Sequence, residues 1–195
     1  MKTANPAKSD LVRDEILRSA MGLFQKFGLD KTTMEDIADA AGKGKSTLYY
    51  YFKTKEELFD AVIMEEFSQA LGRARQAALR AVSAREKLKT YISVFIKENK
   101  EKISLYAIIR HELRRNFNVL DKLRDRFAPA EISYIKEILV QGIKTHELTF
   151  IDESEVNTAA ETVVGLIHAL ELYLLLENDD IRQVDIAAKM IAHGL

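Results

Sequence analysis

The stretch TMEDIADAAGKGKSTLYYYFKTKEEL, residues 33–58, decides the architecture. Thr33 stands three residues before Asp36, close to the capping-box spacing at which an N-cap and the third helical residue serve each other's backbone N–H. Ile37, Ala38 and Ala41 then make a short apolar stripe that Gly42 ends, so this helix is only about two turns long. KSTLYYYF at 45–52 reads as a second short helix. Leu48 and Phe52, four apart, face inward and leave Lys45, Ser46, Tyr49 and Tyr50 outward. Three consecutive tyrosines cannot all be core on one short helix, so at least one phenol is exposed. Thr54 and Glu57 cap a third pattern, apolar at Leu58, Phe59, Val62, Ile63, Phe67 and Leu71 and continuing to about Val82.

Working outward, Ser9 reads as the N-cap of a helix over 11–28, with Leu11, Val12, Ile16, Leu17, Ala20, Leu23, Phe24 and Phe27 apolar and Gly28 as its stop. Downstream, Ser83 and Glu86 repeat the capping signature. Further helical patterns cover about 101–115, 119–145 with a restart near Pro129, 154–177 and 180–193. LTFI at 148–151 is too short to build a sheet. The expected fold is all-α. A three-helix head, residues 1–53, joins a larger helical body, residues 54–195.

Composition agrees. Among 195 residues, 2 Pro and 8 Gly favour long uninterrupted helices, and 47% apolar residues can fill a core. The absence of cysteine excludes disulfides and thiolate chemistry. No apolar run approaches the roughly 20 residues of a membrane span. MKTANPAKSD lacks the apolar centre of a secretion signal, so a cytoplasmic chain with no membrane partner is expected. The net charge of −1 hides an asymmetry: residues 1–55 hold ten Lys/Arg against seven Asp/Glu, and the remainder holds nineteen against twenty-three. A basic head on an acidic body hints at a polyanion at one end.

Two short helices joined by a Gly-containing turn and braced by a longer first helix make a helix-turn-helix. The second helix fits the major groove, where exposed side chains near its N-terminus reach base edges. An exposed tyrosine beside Lys45, Lys53 and Lys55 can donate to phosphate while the lysines neutralise charge. The same tyrosines could instead pack between head and body, with the lysines a solvated face.

From Ile16 to Leu58 the constellation resembles the DNA-binding head of the tetracycline-repressor (TetR) family: a Leu23-Phe24…Phe27-Gly28 helix end, TTMEDIADAAG, then KGKSTLYYYFKTKEEL. The resemblance implies a dimeric, ligand-responsive repressor of transcription, bound to palindromic double-stranded operator DNA and released by a small, largely apolar effector. On this basis Thr33 corresponds to a phosphate-contacting cap. Lys45, Ser46 and Thr47 correspond to base-approaching positions, and Tyr49, Tyr50 and Lys55 to backbone-phosphate contacts. Lys43 and Gly44 depart from the family's frequent Val and capping Ser. The competing reading is a helical small-molecule-binding or scaffold protein without specific DNA binding; operator binding separates the two.

The resemblance also places an effector inside the helical body. The candidate contacts are Phe67, Tyr91, Phe95, Tyr106 and Tyr134, with Arg110 and His168 supplying polar contacts; rings at helical spacing are also what a plain core contains. Helix 154–177 is apolar over more of its surface than one bundle face needs, which predicts a homodimer through the last two helices unless those helices pair within one subunit.

Enzymatic readings fail. GKGKST at 42–47 ends like a phosphate-binding loop, but the first glycine of that pattern falls on Asp39 and a helical stripe precedes it where a strand is needed. His111, His146, His168 and His193 have no metal-ligand spacing, and no cofactor is expected. His168 and Glu171, three apart, read as a buried hydrogen-bonded pair, with a ligand or subunit contact as the alternative. No nucleophile–base pair is identifiable, so no enzyme is expected.

Overall fold

A computed structural model describes residues 6–101, 118–176 and 182–193. Among the described residues every regular element is a helix: α1 (Pro6–Phe27), α2 (Met34–Ala40), α3 (Lys45–Tyr51), α4 (Lys55–Leu79), α5 (Ala84–Glu101), α6 (Asn118–Lys144), α7 (Val156–Leu176) and α8 (Arg182–His193). The pattern read over 101–115 falls, beyond its first residue, outside the described residues.

The head is held by Ile16, Leu17, Ala20 and Phe24 of α1, Ile37 and Ala38 of α2, and Leu48 with Phe52 at the end of α3, all buried. Leu58 and Phe59 of α4 belong to the same core, and the Phe24 and Phe59 rings meet edge to face at 5.6 Å. The first turns of α4 therefore complete the head before the helix enters the body. There α4 packs on α5, α5 on α8, and α6 on α7. The body core gathers Phe67, Ala70, Leu71 and Ala74 of α4 with Leu88, Tyr91, Ile92 and Phe95 of α5, Ile135 and Ile138 of α6, and Val164 and Ile167 of α7.

The structure corrects four local expectations. α1 starts at Pro6, not after Ser9. Ser9 Oγ instead lies 3.2 Å from the Tyr51 hydroxyl, tying α1 to α3. Leu11 and Phe27, read as part of the apolar face, are exposed. α6 does not restart at Pro129, which lies inside one continuous helix. Pro129 and Asp125 are both exposed, so the backbone bond that proline removes is on the outer surface, where water can serve the carbonyl. α4 ends at Leu79, with Arg80 as C-cap, three residues before Val82.

Candidate nucleic-acid interface and effector core

The turn between α2 and α3 is built by backbone geometry. Gly42 has φ +62°, a left-handed conformation costly for a residue with a Cβ. Its N–H donates to Asp39 O at 3.0 Å and the Lys43 N–H donates to Ala38 O at 2.9 Å, the paired bonds of a Schellman stop. Thr33 makes a complete capping box: its Oγ1 accepts from the Asp36 N–H at 3.1 Å, while Asp36 Oδ2 accepts from the Thr33 N–H at 2.9 Å. Thr33 Oγ1 also donates to Asp36 Oδ2 at 2.7 Å, so its single proton is already committed. These bonds hold the Asp36 carboxyl below its ordinary pKa.

Gly44 is the N-cap of α3 and offers no side-chain cap. The neighbouring ammonium of Lys43 is half-buried and pairs with Glu15 of α1 at 2.6 Å, a second tie between the braces. Arg13 of α1 lies over the Phe52 ring at 5.5 Å. Held this way, α3 turns Leu48 inward and presents Lys45, Ser46, Tyr49 and Tyr50 to solvent. Tyr50 is 71% exposed and stands edge-on to Tyr51, so its phenol is well placed to reach outward.

Not every cation is free. Lys45 Nζ sits 3.0 Å from Glu35 of α2, which raises the lysine pKa and lowers that of the glutamate through their hydrogen bond. Lys53 Nζ donates to Tyr49 O at 2.8 Å. Lys55 Nζ donates to Leu29 O at 2.8 Å across the α1–α2 loop, so this ammonium fastens the head to α4. Thr47, half-buried, completes the positions named from the sequence.

In the body, Phe67, Tyr91, Phe95, Tyr134 and His168 come together, although they arise from four helices. Phe67 meets Phe95 at 5.2 Å and His168 at 6.4 Å; Tyr91 stacks on Phe95 at 6.2 Å and meets Tyr134 at 5.2 Å. Tyr106 and Arg110 lie outside the described residues. Sequence reading missed three members. Phe127 of α6 lies 4.9 Å from Phe67, and the Arg75 guanidinium sits over Tyr134 at 5.1 Å. The third is Glu131, fully buried. Its Oε1 accepts from the Tyr91 hydroxyl at 3.1 Å and its Oε2 lies 2.9 Å from His168 Nε2. His168 thus takes a near partner from α6, across the bundle, where the sequence suggested Glu171 on its own helix, and the Glu171 charge acts on it as well. Burial disfavours the imidazolium, but the Glu131 hydrogen bond and the charges of Glu131 and Glu171 outweigh it and raise the His168 pKa. Burial pushes the Tyr91 phenol far up, aided by the Glu131 charge.

α7 and α8 leave apolar surface uncovered. Val164, Ile167 and Leu174 of α7 and Val184, Ala188 and Ala192 of α8 face inward, whereas Leu166, Tyr173, Ile186 and Met190 are exposed. α8 spends its inward face on α5. Beside them a groove of about 500 Å³ is lined by Phe150, Ile151, Val163, Leu166 and Ile191, among others. No helix among the described residues is long and apolar enough to cross a membrane, and these residues contain no His/Asp/Glu group that could hold a metal ion.

Residues 16–62 match the pattern of the bacterial regulatory proteins of the tetR family. Over 88 residues the chain is 38% identical to the HTH-type transcriptional repressor KstR2 of Mycolicibacterium smegmatis; the match spans 45% of this chain and 43% of that repressor. A transcriptional regulator from Cytophaga hutchinsonii has the same fold at TM-score 0.73 and 28% identity, over 92% of this chain and 93% of that one. The regulator FadR of Bacillus subtilis, solved in complex with stearoyl-CoA, aligns at TM-score 0.68 and 22% identity over 93% and 98% of the two chains.

Proposed function

Since the chain belongs to the TetR family of DNA-binding transcriptional regulators, which are not enzymes, we propose that it is a cytoplasmic repressor whose residues 1–53 grip a palindromic operator. Residues 54–195 form the dimerisation and effector body. The observation that carries this reading is the outward face of α3. It is seated by the α2–α3 turn on an apolar core through Leu48 and Phe52, with the Tyr50 phenol 71% exposed at its centre. Lys45, Ser46 and Thr47 are the base-approaching residues. Thr33, Tyr49, Tyr50 and Lys55 work at the phosphates, Thr33 by turning its hydroxyl proton from Asp36 to the phosphate and Lys55 by holding the head's loop as well as by charge. Two copies joined through α7 and α8 present two α3 helices, so the operator is a twofold repeat.

The effector is a largely apolar molecule received by Phe67, Tyr91, Phe95, Tyr134 and His168, with Tyr106 and Arg110 from the segment beyond. A long-chain acyl compound is the first class to try, since that is what the similarly folded FadR holds. α4 carries the signal. Its Phe59 lies in the head core and its Phe67 in the aromatic cluster, two turns apart on one rigid helix. A ligand that displaces Phe67 moves Phe59, and with it the spacing of the two heads. A tenfold loss of operator affinity requires about 1.4 kcal/mol of ligand preference for the non-binding state.

Selection of bound sequences from a random DNA pool tests the reading, followed by titration with acyl compounds. A palindrome that dissociates on titration is expected. On that operator, Tyr50→Phe should weaken binding of all sequence variants alike, while Lys45→Ala or Thr47→Ala should change base preference by roughly 1–3 kcal/mol at one position. A pool with no enriched sequence would refute the reading.

A further inference from the structure

The polar groups of the aromatic cluster do not balance. Glu131 has a partner on each oxygen, Tyr91 on one and His168 on the other, so its carboxyl is engaged within the cluster. At the α4–α6 seam the position is reversed. Arg75 lies over the Tyr134 ring and gives one guanidinium nitrogen to Ala130 O at 2.6 Å. Its Nε and the Tyr134 hydroxyl are both buried without a hydrogen-bond partner. Two donors on adjacent side chains are thus left open. A guanidinium has no acceptor capacity, so Arg75 cannot accept the phenol's proton, and an open buried donor is costly. Both residues are half-buried, which puts the pair at the rim of the cluster and not in its packed centre.

We propose that Arg75 and Tyr134 form the head-group subsite of the effector site and take an oxygen acceptor, a carboxylate or an acyl carbonyl, whose apolar chain runs toward Phe67 and Phe95. This inference rests on the effector reading above and adds the ligand's polar chemistry to it. A planar donor fork and a phenol suit oxygen acceptors, and the positive charge of Arg75 favours an anionic one. It equally rejects amphiphiles with cationic heads. A ligand bound there bridges α4 and α6 and so acts directly on the helix that leads to the head.

Binding of hexadecanoate, its coenzyme A thioester and hexadecyltrimethylammonium is to be measured on the full-length protein and on Arg75→Met and Tyr134→Phe. The expected result is that the wild type prefers one or both oxygen-bearing ligands, and that each substitution weakens that binding at least tenfold. Loss confined to the free acid identifies a carboxylate, and loss confined to the thioester an acyl carbonyl. Unchanged affinity in both variants, or preference for the cationic amphiphile, would overturn the inference while leaving the effector reading intact. If none of the three binds, both fall. A second measurement needs no ligand: Tyr134→Phe removes a hydroxyl that has no acceptor, so the melting temperature should hold or rise. A drop of several degrees would show that the hydroxyl is already satisfied and would overturn the inference.

Discussion

Head and body each bury one polar side chain prominently, and they satisfy it in opposite ways. In the head, Thr32 is 2% exposed and donates to Gly28 O at 2.7 Å, four residues back. In the body, Glu131 is fully buried and held by Tyr91 from α5 and His168 from α7, 40 and 37 residues away. The head therefore has a locally closed interior and places its chemistry outside, on α3. The body places its chemistry inside, where it depends on three helices holding register. Such a contrast suits a grip that must stay rigid and a sensor that must yield.

The most damaging way to test the first half is Phe24→Ala. Phe24 is fully buried, its ring edge to face against Phe59, so truncation leaves a cavity in the head core. Loss of about 3–5 kcal/mol is expected by urea unfolding, with operator binding lost alongside. Survival of operator affinity would mean that the head does not need its closed core.

The second half is sharpened by two variants of the Glu131 cluster. Glu131→Ala leaves a buried imidazole and a buried phenol without their shared acceptor, and should cost about 3 kcal/mol. Replacing the three polar members together, Glu131→Leu with His168→Leu and Tyr91→Phe, should recover most of that loss, because buried ion pairs contribute little net stability over well-packed apolar groups. If the triple variant is as unstable as the single one, the cluster stabilises the body by itself and is not kept for its chemistry.

A smaller effect follows from the His168 pKa, which is raised in the folded state by Glu131 and Glu171 against the burial that lowers it. The folded protein then holds the His168 proton where the unfolded chain has released it. Stability from this residue is full below the unfolded value near 6.5 and is lost as pH rises through the higher folded value. Between those two values the slope is at most about 1.4 kcal/mol per pH unit. Urea midpoints from pH 6 to 9 should show the decline, and His168→Gln should flatten it. A wild-type profile as flat as the variant's would remove the charge from the pair.

These two regions were unequally legible in the sequence, for the same reason that they differ. The α2 cap, the Gly42 stop and the inward Leu48 are set by neighbours within four residues, and spacing alone gives them. Even there the exceptions are long-range: Ser9 looked like a cap but meets Tyr51, and Lys55 looked free but fastens Leu29. In the body, spacing placed the rings on inward faces but could not say that His168 would find Glu131 across the bundle. One signal was present. Glu131 lies four residues from Phe127 and four from Ile135, so a carboxylate sits in line with the apolar face of α6. A charge in that register must be paired, though the sequence does not say with what.

The smallest effect is at the polar tie between the regions. Lys122 of α6 pairs with Asp60 on α4, one residue beyond Phe59, with the two side chains 46% and 25% exposed. A pair this open to water contributes about 0.2–1 kcal/mol, so Lys122→Met should barely change stability. Its place matters more than its strength. It clamps α6, which carries Glu131, to the part of α4 that belongs to the head. A ligand that parts α4 from α6 works against this clamp, and removing the clamp should let less ligand release the operator. The shift is bounded by the pair's own energy, so about fivefold in the effector midpoint is the ceiling. Raising salt weakens operator binding in both proteins, but it should lower the effector midpoint further in the wild type than in Lys122→Met, because only the wild type has the pair to screen. Operator affinity measured against effector concentration, at low and high salt for both proteins, decides it. If the variant shows no change in midpoint at low salt, the signal passes along the packed core of α4 alone.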